Sequence, residues 1–198
     1  MKLGYASQLY YNDFMRLAHV TSKYRAAIIA AAYYNWLKEG SKVCDIGCGT
    51  GVVGKYLSDK LKLQLVGVDI DNYLAEKIQF KKMDSPTRLP FTSKEFKYAM
   101  FNDVLHHTKY PDQVSLLKES LRVADEVLIF ELKPTLVGKL LDFILNKIHN
   151  FQMGVPFTYR TRSDWLKLFK DLNLKYQIEK VETPYWYPFS HIAFKVSK

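Results

Sequence analysis

Nine residues hold most of the chemistry that the chain can offer. Val43-Cys-Asp-Ile-Gly-Cys-Gly-Thr-Gly51 reads as a β-branched strand that runs into a glycine loop and then a helix. Gly47, Gly49 and Gly51 have no side chains, so the backbone can turn sharply and a ligand can approach it closely. A loop of this kind at a helix N-terminus suits an anionic group, a carboxylate or a phosphate. Gly49-Thr-Gly-Val-Val-Gly54 also spells GxGxxG, and Asp69 follows twenty residues after Gly49, where an acid that binds a ribose belongs. On spacing alone a nicotinamide nucleotide fits. Asp45 argues the other way. A carboxylate four residues before Gly49 crowds a pyrophosphate laid over the turn, whereas a cofactor with a cationic amine or sulfonium makes that acid useful.

Those residues need a scaffold that brings strand ends together. From Lys42 onward, short β-branched runs alternate with helical patterns, the signature of a parallel sheet with crossover helices. The pattern predicts strands over 42–47, 64–69, 77–82, 97–102, 126–131, 174–181 and 190–196. It predicts helices over 22–38, 51–60, 111–123, 136–149 and 162–171, with another around 7–19. Pro111-Asp112 opens a run with Val114, Leu117 and Leu121 at helical spacing. Thr161-Arg-Ser-Asp164 before Trp165, Leu166, Leu168 and Phe169 reads as a capped amphipathic helix. The stretch 72–76 is short for a crossover helix, so the second βαβ unit is abbreviated. In open α/β sheets ligands sit beyond the carboxyl ends of the strands, where strand order reverses. The helices within 1–40 and the insertion 133–162 are long enough to roof that crevice.

Composition narrows the class. The 198 residues fit one domain, and 48% hydrophobic with 25% charged residues is ordinary for a globular chain. Aromatic residues make up 15%, which suggests bulky packing or a greasy pocket. The net charge of +9 favours anionic partners, but the basic residues are dispersed, with no run longer than Lys81-Lys82. Cys44 and Cys48 give no disulfide framework, which suits a reducing cytosol. Without nearby histidines they offer too few ligands for a metal, and none is expected. The first residues lack a continuous apolar core, and Ala26 to Leu37 is too short to span a bilayer. A soluble cytoplasmic protein is expected.

The segment DIGCGTG resembles the first motif of class I S-adenosylmethionine-dependent methyltransferases, and four further segments follow in that family's order. Gly67-Val-Asp69-Ile70 looks like the second motif, whose acid takes both ribose hydroxyls. Met83-Asp84-Ser85, with Leu89-Pro90-Phe91 after it, resembles the third, whose Asp contacts the adenine amino group. Phe96 to His107 resembles the fourth strand and the "LHH" turn of small-molecule members, and Glu126 to Phe130 fits the fifth strand. The resemblance covers roughly residues 40–132 and departs at Lys97, where the family often carries Asp. It implies a Rossmann-like α/β sheet of seven strands in the order 3-2-1-4-5-7-6, mostly parallel with the last strand antiparallel and helices on both faces. It also implies S-adenosylmethionine as cofactor, with S-adenosylhomocysteine as product. Asp45, Gly47, Cys48, Gly49, Gly51, Asp69, Ile70, Asp84, Ser85 and Asn102 then form the cofactor site.

Several residues keep two readings. Asp45 either faces the cofactor or caps the glycine loop through its N–H groups. His106 either acts as base or orienting group near the transferable methyl or packs against the loop, and packing is preferred for His107. Asn-Pro-Pro-Tyr after the fourth strand and a Pro-Cys pair are both missing, which disfavours base-methylating nucleic-acid enzymes. A small, apolar or aromatic acceptor is expected, with His107, Phe157, Tyr159 and Arg160 as substrate residues. On one helical face of the insertion lie Leu136, Leu140, Ile144 and Ile148, which either pack on the domain, lid an apolar acceptor or touch a membrane surface. Tyr185-Trp-Tyr-Pro-Phe189 either lines the same mouth or packs as a turn. The rival functions are an RNA or protein methyltransferase, a nicotinamide oxidoreductase, and a cofactor-binding module without catalysis.

Overall fold

The computed structural model describes residues 22–149 and 156–198, with side chains for 22–145 and 156–198. The expected helix at 7–19 and the middle of the insertion lie outside the described residues. The described helices are α1 (22–33), α2 (Val52–Leu61), α3 (Tyr110–Val123), α4 (Leu136–His149) and α5 (Arg162–Asp171). The strands are β1 (Lys42–Ile46), β2 (Gln64–Asp69), β3 (Gln79–Lys82), β4 (Phe96–Asn102), β5 (Ala124–Leu132), β6 (Lys175–Glu179) and β7 (His191–Ser197). They form one seven-stranded sheet in the order β3-β2-β1-β4-β5-β7-β6. The pairs from β3 to β5 are parallel, and β7 runs antiparallel to both β5 and β6. This is the expected topology.

Both sheet faces are buried, so the strands are apolar on alternate positions of each side. Cys44, Ile46, Ala99, Phe101, Val127 and Ile129 face α3 and α5, where they meet Leu117, Leu121, Trp165 and Phe169. Val43, Tyr98, Met100, Leu128 and Phe130 face α1 and α2, against Ile29, Tyr33, Val53 and Leu57. Strand order reverses between β1 and β4, which places the crevice above Ile46 and Phe101.

Several boundaries differ from the sequence reading. Helix α1 ends at 33 rather than 38, because the N–H groups of Trp36 and Leu37 both bond the Tyr33 carbonyl at 2.9 Å. That tight turn swings both side chains into the core. Strand β3 begins at Gln79 rather than 77, since Ile78 turns inward against Gly51 and Gly67. The edge strand β6 is also shorter than expected, while the central β5 is longer, as a strand paired on both sides can be. No helix forms between β2 and β3. The segment is tied to the glycine loop instead, with the N–H groups of Ala75 and Glu76 bonded to the Thr50 carbonyl at 2.9 and 3.1 Å. Thr161 and Asp164 complete the capping box that starts α5.

The third glycine of the GxGxxG reading has a packing reason. A Cβ on Gly54 would lie 2.7 Å from Asp45 Oδ2 and 3.1 Å from Leu65 Cδ2. Alanine is the better helix former by ~1 kcal/mol, yet overpacking against a pinned carboxylate costs ~1–3 kcal/mol. Gly54→Ala should therefore lower stability in urea denaturation. A variant as stable as wild type or more so would show that β1 and α2 are not in close contact.

Candidate functional site at the carboxyl ends of the strands

The glycine loop has left-handed backbone at Gly47, Gly49 and Gly51, with φ of 70, 52 and 77°. A side chain on Gly47 would strike Val104 at 2.5 Å, whereas the space above Gly49 is open. Four of the loop's N–H groups are engaged. Those of Gly47 and Cys48 bond the Val68 carbonyl at 2.8 and 3.1 Å, and that of Gly51 bonds the Cys48 carbonyl at 2.9 Å. Gly49 N–H donates to Asp69 Oδ2 at 2.9 Å. Four of the loop's donors therefore face the protein. Cys48 is likewise turned inward, with its sulfur against the Cα of Gly67 and its thiol pushed up by burial.

Asp69 ends β2 with each oxygen holding one backbone donor. Oδ2 takes Gly49 N–H, and Oδ1 takes Ile70 N–H at 2.7 Å. Burial raises this carboxyl, and the two N–H bonds pull it back. A carboxylate oxygen has a second lone pair, so the arrangement can still accept two hydroxyls. Ile70 beside it is 47% exposed, an apolar surface at the rim. Asp84 follows β3 and is exposed, while Ser85 is half-buried in a bridge with Arg88.

Asp45 does not cap the loop. It is buried, accepts from Asn102 Nδ2 at 3.2 Å through Oδ1, and holds Oδ2 against α2 without a hydrogen-bond partner. Burial pushes it up to about 7, against the pull of the Asn102 bond. Asn102 is in turn held by the Tyr33 hydroxyl, which donates to its Oδ1 at 3.1 Å. The side chain of Asn102 therefore serves the floor of the crevice rather than its opening.

The histidine pair sits in a network that the sequence did not reveal. His106 Nδ1 donates to Glu131 Oε2 at 2.6 Å, and its Nε2 lies 3.5 Å from Asp142 Oδ2. Glu131 also accepts from the N–H groups of Val104 and Leu105 at 2.9 and 2.6 Å, and so fixes the turn over Leu105–His107. Burial alone would push the imidazole of His106 down, but Glu131 and Asp142 outweigh it and hold it up at about 10. A ring that keeps its proton has no lone pair for general-base work, so the structure argues against that role. His107 behaves oppositely, lowered to about 3 by burial and by the charge on His106. The ligand atoms of His106, His107 and Asp142, and those of Asp103, His106 and Glu131, lie within 4.8 Å of one another.

The described part of the insertion closes over this turn. Tyr159 stacks on His106 at 5.2 Å between centroids and donates to Asp142 Oδ2 at 2.7 Å. Phe157 lies 6.2 Å from His107. Thr158 N–H bonds the His106 carbonyl at 2.8 Å. Arg160, expected to touch substrate, points elsewhere. Its Nε donates to Gln113 at 2.6 Å and its guanidinium lies over Tyr110 and Trp165, which makes it a brace between α3 and α5. Gln113 is buried and also ties Leu105 and Thr158 together.

Across the mouth, Asp103 pairs with Arg25 at 3.2 Å and His191 at 3.3 Å. Burial would raise its carboxyl, but His191 and Arg25 hold it well below the usual carboxylate range. Asp103 has a φ of 58°. The aromatic loop packs here, with Trp186 and Tyr187 against Tyr24 at 4.9 and 5.8 Å. Sequence reasoning missed Arg25, Asp103, Gln113, Glu131, Asp142 and His191; Asp103 lies within the Phe96–His107 segment and Glu131 directly after Phe130, and the other four stand in no motif.

A family model described as methionine biosynthesis protein MetW matches residues 29–132, which run from α1 to the end of β5. The chain belongs to the MetW family. Solved structures resemble this MetW-family chain in fold. A cyclopropane-fatty-acyl-phospholipid synthase-like protein from Lactobacillus casei has a TM-score of 0.72 at 16% identity, over 92% of this chain and 93% of that one. Magnesium protoporphyrin IX methyltransferase from Synechocystis, solved with S-adenosylhomocysteine bound, has a TM-score of 0.62 at 18% identity, over 100% and 90%. An S-adenosylmethionine-dependent methyltransferase from Methanosarcina mazei has a TM-score of 0.59 at 18% identity, over 83% and 95%. No curated protein matches the MetW-family chain by sequence.

The two histidines give a direct check on the electrostatics. Because the folded value of His106 lies above its ordinary 6.5, its contribution to stability is complete below that pH and is lost as pH rises through about 10. Imidazole resonances in a pH titration should show His106 still protonated at pH 8, while His107, held at about 3, is neutral there and stays so in mild acid. Two rings that both titrate near 6.5 would mean that the Glu131–His106–Asp142 network does not form.

Proposed function

We propose that this chain is an S-adenosylmethionine-dependent methyltransferase that acts on a small, apolar or aromatic acceptor. The observation that carries the reading is the state of the loop. With the N–H groups of Gly47, Cys48, Gly49 and Gly51 all engaged, the turn cannot cradle a pyrophosphate through them, while Asp69 keeps lone pairs for two hydroxyls. That combination suits an adenosyl ribose that meets the loop through Asp69 rather than through these four donors. MetW-family membership and the methyltransferases among the fold relatives, one with S-adenosylhomocysteine bound, support it.

The residues fit this cofactor. Asp69 would hold the ribose, Ile70 would lie along the adenine, and Asp84 with Ser85 would meet its polar edge. Asp45 lies buried beneath the loop with Oδ2 unpartnered, and a cationic group brought near it would favour its charged form. When bound, the cofactor supplies a methyl group on a sulfonium, which leaves readily in an in-line displacement. The protein's part is then to align the acceptor and exclude water, and positioning of this kind supplies ~7–11 kcal/mol. His106, held protonated, would orient the turn and Tyr159 rather than take a proton. His107, Phe157 and Tyr159 form an aromatic wall for the acceptor, with 133–162 as a lid and 1–40 as a cap on one domain.

Calorimetric titration with S-adenosylhomocysteine and, separately, with NAD tests the reading. Binding of the first alone is expected, and binding of NAD alone would overturn it. Asp69→Ala should weaken S-adenosylhomocysteine by roughly 1–3 kcal/mol, the scale of lost hydrogen bonds to a charged group. Unchanged affinity in a folded variant would remove Asp69 from the site. Labelled methyl transfer to fractionated metabolite, lipid and RNA extracts then finds the acceptor, and label only in RNA would displace the small-molecule assignment.

A further inference from the structure

Helix α4 was open to three readings, and its exposure favours those in which the stripe faces outward. Leu136, Val137, Leu140, Phe143 and Ile144 are 88, 59, 60, 46 and 40% exposed, so the described residues leave much of this face open, although Phe143 meets Phe157 at 5.6 Å. At 3.6 residues per turn the five form one stripe roughly 120° wide. The opposite side holds buried Gly138 and half-buried Asp142, which meets His106 and Tyr159. Asp142 is the only acid in the helix sequence, which also carries Lys139, Lys147 and His149. The outward stripe is therefore apolar, and the helix's single negative charge is turned inward.

A second exposed patch lies at the same end of the sheet. Strand β7 begins opposite the end of β5, with His191 across from Leu132, so the loop before β7 stands at the carboxyl edge. Tyr185 and Trp186 on that loop are 102 and 57% exposed. Lys133, which leads into α4, donates its N–H to the Ser190 carbonyl at 2.7 Å, which joins the two patches through the backbone. An amphipathic helix beside exposed Trp and Tyr is the composition of a surface that lies in a membrane interface. A net charge of +9 draws the chain to an anionic surface and sets two copies against each other.

We propose that the stripe of α4, with Tyr185 and Trp186, seats the protein on the surface of an anionic bilayer. The mouth of the crevice then opens toward the headgroups, and the methyl acceptor is a lipid-like molecule that resides there. This last step rests on the methyltransferase reading above, whereas the docking itself does not.

Flotation of the full chain with vesicles tests it. Vesicles of equal parts phosphatidylcholine and phosphatidylglycerol should carry the protein at least about tenfold more strongly than phosphatidylcholine alone, and the difference should shrink with salt. The double variant Leu140→Glu/Ile144→Glu should lose flotation yet keep its melting temperature and its S-adenosylhomocysteine affinity. Absence of wild-type flotation on both vesicles, or full flotation of the double variant, overturns the docking. A dimer seen by light scattering that the double variant abolishes, without vesicle binding, makes the stripe a self-association face and also overturns it. Vesicle binding without S-adenosylhomocysteine binding supports the docking and removes the lipid acceptor together with the methyltransferase reading.

Discussion

Parallel strands end together, so their terminal acids gather on one edge of the sheet, and each buried carboxylate there has to find a partner. Asp45, Asp69, Asp103 and Glu131 come from or just after β1, β2, β4 and β5. Each is met differently. Asn102 holds Asp45, backbone N–H groups hold Asp69, Arg25 and His191 hold Asp103, and His106 with two N–H groups holds Glu131. These solutions build the crevice. The bond from Gly49 to Asp69 locks the loop to β2, and the Glu131 bonds lock the turn after β4.

The same requirement explains the connection between core and roof. His106 lies between Glu131 on the sheet and Asp142 on α4, so one imidazolium joins the fixed and the covering parts of the molecule. Truncating any one partner would leave a buried charge uncompensated, which costs more than the net contribution of the pair. Tyr159 and Gln113 extend the tie through hydrogen bonds to Asp142 and to Thr158. The inward face of α4 is thereby anchored by polar contacts, and its apolar stripe is left to face outward.

The glycines show how one pattern can serve two purposes. In this chain Gly47 and Gly54 answer to packing demands. Gly47 admits Val104, Gly49 leaves room above the loop, and Gly54 admits the Asp45 carboxylate beneath α2. The spacing is therefore compatible with either cofactor class, and the residues around it, Asp45 among them, have to separate the two.

The alternation of β-branched runs with helical periodicity determined the element types and the α/β class, because periods of 2 and 3.6 follow from backbone geometry and need no partner, while the strand order was legible only through the resemblance of the motifs. The glycine loop and Asp69 were equally legible, since left-handed turns and strand-ending acids depend on residue type at a local spacing. Ends of elements were less so: α1 stops at 33 because Trp36 and Leu37 are drawn into a core built by distant strands. The protonation of His106, the inward turn of Asp142 and the diversion of Arg160 to Gln113 were decided only by tertiary structure. Each depends on a charge or donor brought from twenty or more residues away, and long-range electrostatics leaves no period in a sequence.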